Sequence, residues 1–213
     1  MKPYLYLAIS LLMMLSSCMS EHAVIKKYYT IEWQIDQNDA HKAAASVIRG
    51  ACEIKQIEIS PLYEGNQIVN RSNSHEITYY KYHQWAVRPS VAITEVIRNS
   101  LEISGTFESV STRYSRIIPD YRFVTVIHQL EIIENSEAFS AHLNLEFRII
   151  NNSNDQVLLN YKADRREPLP EKELNLFASA VSNLIYKELQ EFISQIEKSS
   201  HLFEKTEDQI TND

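Results

Sequence analysis

The chain has 213 residues, of which 44% are hydrophobic and 23% charged, the proportions of an ordinary globular protein. Its net charge of -7 argues against nucleic acid as a partner, because phosphates call for a basic face. The same charge argues against electrostatic adsorption to anionic lipid, so any membrane attachment has to be covalent.

Lys2 is the only charge before an apolar run from Tyr4 to Leu15. That is a short positive n-region and an h-region of secretory length, too short to span a bilayer. Leu15-Ser16-Ser17-Cys18 follows and resembles the bacterial lipobox. In lipoproteins of that type the peptide is cut before the cysteine, which is acylated, palmitate included, and becomes the new N-terminus. A plain signal peptide with a chance cysteine is the alternative. The expected organisation is a signal peptide over 1–17, a lipidated tether over 18–26, a single domain over 27–199 and a loose acidic tail over 200–213. Removing the leader leaves 213 − 17 = 196 residues, enough for one domain with a real core. Cys52 is then a lone thiol without a disulfide partner, and a buried, inert role is expected.

A first strand is predicted over Lys27–Ile35, where Tyr29, Ile31, Trp33 and Ile35 alternate against Tyr28, Thr30, Glu32 and Gln34. Residues 37–50 read either as a short helix over Ala43–Ile48, capped by Asp39 and closed by Gly50, or as a linker. Glu53–Ser60 is a strand stopping at Pro61, and Gly65 marks a turn. Gln67–Arg71 and Glu76–Trp85 make a hairpin across Ser72-Asn73-Ser74. Pro89 opens a helix with an apolar stripe of Ile93, Val96, Ile97 and Leu101, ended by Gly105. A short strand with Phe107 and Val110 follows.

Three period-two runs come next. Val124, Val126, Leu130 and Ile132 share a face of one strand. Phe139, Ala141, Leu143, Leu145, Phe147 and Ile149 share a face of the second, and Val157, Leu159, Tyr161 and Ala163 of the third. Glu171–Ser199 is a long amphipathic helix with Leu174, Phe177, Val181, Leu184, Ile185, Phe192 and Ile196 inside. Glu171 and Glu173 fall in its first turn, where the helix dipole favours acids. The predicted fold class is an α/β (α+β) sandwich: a mixed, largely antiparallel sheet of six or seven strands packed by two main helices.

Chemistry is sparse. The seven histidines show no metal-ligand spacing, and no nucleophile elbow or glycine-rich phosphate loop is present. The parity of His128 puts it among the core residues, whereas His142 falls on the polar face. No catalytic residue, metal ligand or cofactor is therefore predicted beyond the covalent lipid on Cys18, and the chain does not read as an enzyme. The run Tyr79-Tyr80-Lys81-Tyr82-His83-Gln84-Trp85 is the unusual cluster, because Tyr and Trp favour interfaces as well as strands. Tyr79, Tyr82 and the nearby Arg88 are the candidate partner contacts.

His83-Gln84-Trp85-Ala86-Val87-Arg88-Pro89, running through Leu101 to Ser104-Gly105-Thr106-Phe107 and Val110, resembles the ABC-type transport auxiliary lipoprotein family. Tyr28-Tyr29-Thr30-Ile31, Ser60-Pro61-Leu62-Tyr63 and Gln67-Ile68-Val69 agree with it, as do the lipobox and the terminal helix. The insert at 37–50 departs from it. The resemblance implies a non-enzymatic component of an MCE-type lipid transport system, anchored at the outer membrane and facing the periplasm. Its implied partner is the MCE-domain protein that bridges the periplasm, and a homo-oligomeric ring stays open. An independent lipid-binding carrier, which needs an apolar cavity, is the alternative.

Overall fold

The computed structural model describes residues 25–32, 48–112, 118–135 and 139–203. Among these residues the order is β1 (Lys27–Tyr29), β2 (Ile48–Ile54), β3 (Glu58–Ile59), β4 (Gln67–Asn73), β5 (Glu76–Trp85), α1 (Pro89–Ser104), β6 (Phe107–Ser111), β7 (Tyr121–Glu134), β8 (Phe139–Asn151), β9 (Val157–Pro168) and α2 (Leu174–Lys198). A 3-10 turn, Ser200–Phe203, follows α2. Cys18 and the leader lie outside the described residues.

All nine described strands join one mixed sheet. β7 is its 14-residue centre. One edge of β7 pairs antiparallel with β8 along nearly its whole length, and β8 pairs likewise with β9. Its other edge is filled in parallel by three successive short strands: β2 beside Tyr121–Phe123, β3 beside Val126–Ile127 and β4 beside Glu131–Ile133. β5 returns antiparallel on β4 and carries β1, while β6 pairs outside β2. The strand predicted at Glu53–Ser60 is therefore two strands, β2 and β3, separated by Lys55–Ile57, where Lys55 N–H still donates to the Phe123 carbonyl.

The helices cover one face. Pro89 starts α1, where the missing N–H costs nothing, and Ile93, Val96, Ile97 and Leu101 are buried on its inner side. Gly105 closes it in the left-handed region at φ 63°. All seven inner residues predicted for α2 are buried. Phe192 sits 5.6 Å, ring centre to ring centre, from both Phe123 and Phe147, and 5.8 Å from Tyr161. Glu188, buried in the same helix, accepts from Tyr161 Oη at 2.5 Å and Arg165 Nε at 2.8 Å, tying α2 to β9. Cys52 is fully buried, and burial pushes its thiol far above the usual range, so it is inert.

Several expectations are corrected. β1 ends at Tyr29; Glu32 N–H then donates to Ser182 Oγ of α2, and Trp33 and Ile35 lie outside the described residues. Ile48–Gly50 open β2 instead of closing a helix, and the rest of 37–47 is outside the described residues. Gly50 is needed there: at φ 115° a Cβ would stand 2.6 Å from Asp120 Oδ2, which accepts from Ala51 N–H. Glu171 and Glu173 precede α2, with Glu173 as its N-cap. The start of the tail is anchored, since Phe203 is buried and its carbonyl accepts from Tyr121 Oη at 2.8 Å. Residues 204–213 lie outside the described residues.

The largest correction is in β7. Its register passes from Ile127 opposite Leu145 to Gln129 opposite Asn144, so His128 is an extra residue in a bulge. A bulge exchanges the faces. Phe123, Thr125 and Ile127 point inward before it, and Leu130 and Ile132 after it, leaving Val124 and Val126 on the other side. His128 is consequently exposed, 3.8 Å from Glu146. A second register shift between Ile149 and Ile150 turns Val157 out, 47% exposed, while Leu159, Tyr161 and Ala163 keep their predicted face.

Candidate functional site

On the face of the sheet away from the helices, polar side chains of five segments converge. Glu131 of β7 is 1% exposed and lies opposite His142 of β8. Its carboxylate accepts from Tyr63 Oη at 2.7 Å and from Arg71 Nε and Nη2 at 2.7 and 2.9 Å, and His142 Nδ1 approaches to 3.3 Å. His142 Nε2 contacts Asp164 Oδ1 of β9 at 2.8 Å. The histidine predicted to be exposed is thus buried, and the one predicted to be buried is exposed. Parity failed only for His128, the bulge residue of β7; His142 keeps the face its parity predicts, and Tyr63 and Arg71 cover that face there.

Burial alone would raise the Glu131 carboxyl, but the hydrogen bonds from His142, Arg71 and Tyr63 outweigh it and hold the group down at about 2. Burial, helped by Glu131, pushes the Tyr63 phenol up to about 12. Both ring nitrogens of His142 face carboxylate oxygens, Nδ1 that of Glu131 and Nε2 that of Asp164. The carboxylates face opposite ring nitrogens, so they do not converge on one point where a metal or reacting atom could sit. The cluster clamps the Pro61–Asn66 turn, through Tyr63, and β4, through Arg71, onto β7 and β8.

The aromatic run of β5 is divided by its neighbours. Trp85 is 2% exposed against Phe177, Tyr80 donates to Glu134 at 3.1 Å, and His83 Nδ1 meets Tyr29 Oη at 2.8 Å. Tyr79 is exposed, and half-buried Tyr82 lies under Lys81, whose Nζ is 5.2 Å from the ring centre. Arg88 stands exposed before α1, between Val87 and Val91, which are 47% and 52% exposed. Tyr79 and Arg88 are therefore free to meet a partner. The two valines beside Arg88 were missed by sequence reasoning, because nothing in periodicity separates an outward valine of a helix start from an inward one.

Between β1 and α2 lies a cleft of about 540 Å³ lined by Lys27, Tyr28, Tyr29, Glu32, Asn175 and Ser179, among others. Its walls are largely polar, unlike a site for an acyl chain. Between the sheet and the helices the volume is occupied by Phe123, Phe147, Phe177 and Phe192, all fully buried. No described helix is long and apolar enough to cross a membrane.

The family model described as the ABC-type transport auxiliary lipoprotein component matches residues 29–193. No curated protein matches the chain in sequence. Among solved structures, a Xanthomonas campestris protein of the DUF330 family model superposes with a TM-score of 0.64 at 14% identity, over 74% of this chain and 90% of that one. A second, described only as an uncharacterized protein, gives 0.62 at 10% identity, over 81% and 99%. At such identities the likeness establishes the shared fold.

Proposed function

Because the chain belongs to the ABC-type transport auxiliary lipoprotein family, we propose that it is a lipid-anchored, non-enzymatic component that holds a protein partner of a lipid transporter. Membership itself makes it an auxiliary of an ABC transport system. The finer reading is that the partner is the periplasm-bridging MCE-domain protein and that the site of action is the outer membrane. The observation that carries the binding role is the exposed Val87-Arg88-Val91 lip, an arginine between two apolar side chains on a rigid helix start. Arginine with apolar neighbours is the composition of an interface anchor. The aromatic filling of the interior supports this reading over the lipid carrier, which would need that space empty.

Arg88→Glu tests it without disturbing the fold. Arg88 makes no side-chain cap bond, and an acid at a helix N-terminus suits the dipole, so melting should shift by no more than about 2 °C. Capture of the MCE-domain partner in a pull-down should fall about tenfold or more. Unchanged capture by Arg88→Glu and by Val91→Asp would remove the lip from the interface.

The anchor gives a separate expectation. Several acyl chains contribute about 0.8 kcal/mol per buried methylene, so Cys18→Ser should move the protein from the membrane fraction almost completely. Residue 19 is Met. In lipoproteins of enteric type an aspartate there retains the protein at the inner membrane, so gradient separation should place this one with outer-membrane markers.

A further inference from the structure

Ile25, Lys26, Lys27 and Tyr28 lead into β1 and are all exposed, Ile25 at 80% and Tyr28 at 60%. In the parallel register with β5, Lys27 lies beside His83 and Tyr28 beside Gln84, and exposed Lys81 stands two residues before His83 on the same strand. Three lysines, one aliphatic side chain and one tyrosine thus share a corner of a protein whose net charge is -7. Lys26, Lys27 and Lys81 form no ion pair among the described residues. The carboxylates near this end are engaged or set back: Glu32 accepts from Thr30 Oγ1, Glu134 is paired with Lys172, and Glu173 faces Tyr29.

We propose that this corner is a membrane-contact surface that seats the domain on anionic phospholipid. The inference rests on the reading of Cys18 as the acylated residue. Cys18 is seven positions before Ile25, and seven residues reach at most about 25 Å. The corner is therefore the part of the described fold that the anchor keeps within a headgroup layer's reach. At the resulting effective concentration weak contacts suffice, and the acyl chains supply the residence that the net charge of -7 opposes. The chemistry fits a headgroup layer. Lysines lay their stems along it with the ammonium among phosphates, tyrosine sits at that depth, and isoleucine reaches past it. A protein partner fits less well, because lysine is depleted at protein interfaces.

The test uses the full-length acylated protein in vesicles of phosphatidylethanolamine and phosphatidylglycerol. Ile25→Cys, Tyr28→Cys and Val157→Cys each receive one fluorophore, and fully buried Cys52 does not compete for it. Quenching by nitroxide-bearing lipid should be several-fold stronger at positions 25 and 28 than at 157. It should fall in the triple variant Lys26→Glu, Lys27→Glu, Lys81→Glu, and when phosphatidylcholine replaces both lipids. Equal quenching at the three positions overturns the inference, as does quenching indifferent to charge. Labels that stay in water on vesicles but become shielded when the transporter partner is added overturn it in favour of a protein contact. Protein that does not float with the vesicles overturns the anchor as well; floated protein with a water-exposed corner overturns this inference alone.

Discussion

Glu131→Ala is expected to cost about 3 kcal/mol and lower the melting temperature by roughly 10 °C at neutral pH. The substitution removes little apolar area. Its effect comes from what stays behind: the Arg71 guanidinium, one-quarter exposed, the buried Tyr63 hydroxyl and the buried His142 ring all lose their shared acceptor. Because Tyr63 is the pin that holds the Pro61–Asn66 turn, amide exchange there should rise before the global transition. Thermal melts with hydrogen exchange on the same samples check both parts, and His128→Ala, in an exposed side chain, serves as the control within about 0.5 kcal/mol of wild type. A loss below about 1 kcal/mol for Glu131→Ala would mean that the cluster is not structural.

The same group sets an acid dependence. The folded pKa of Glu131 is held at about 2, below the usual carboxylate value near 4.3, so ionised Glu131 stabilises the fold. That contribution is complete above pH of about 4.3, is lost as the pH falls towards about 2, and amounts to about 3 kcal/mol. The wild type should therefore lose stability steeply in this window. Glu131→Gln, which keeps an acceptor for Arg71 but cannot titrate, should start lower and lose less. Parallel stability curves over the window would contradict the assignment.

The helical layer of the fold was legible because its signals are local and agree. Pro89 and Gly105 bracket α1, and the inner stripe of α2 repeats without interruption. β8 was legible for the same reason: its six inward positions keep one parity from Phe139 to Ile149, and all are buried. β7 was not, because an inserted residue carries no composition of its own. His128 is polar among apolar neighbours whether it is a core residue or a bulge. Only the partner strand decides, through the passage from Leu145 to Asn144 against Ile127 to Gln129. The burial of His142 was hidden for a separate reason, because the residues that cover its predicted face, Tyr63 and Arg71, are far away in the chain. Parallel pairing was equally hidden, since β2, β3 and β4 are each set by where β7 happens to run. Of the candidate contacts, the structure leaves Tyr79 and Arg88 exposed and Tyr82 half-buried beside Lys81, a difference the run of strand residues does not encode.

Phe192→Ala is expected to cost about 3–5 kcal/mol, the larger of the two core effects, and its size bears on function. Phe192 is fully buried and stands in ring contact with Phe123, Phe147 and Tyr161, joining α2 to β7, β8 and β9 at once. Truncation removes its transfer contribution and leaves a void walled by two phenylalanines and a tyrosine held by Glu188, none of which can swing in without leaving its own contacts. A protein built to open between sheet and helices for an acyl chain would behave otherwise. Its interior would yield, the void would collapse or fill, and the loss would stay near 1 kcal/mol. Chemical denaturation of Phe192→Ala, repeated with a medium-chain fatty acid present, separates the two. A large loss that fatty acid does not restore fits a protein whose interior is packed and whose work is done on its outer surface. A small loss, or stability restored by the fatty acid, would put the lipid-carrier reading back in first place.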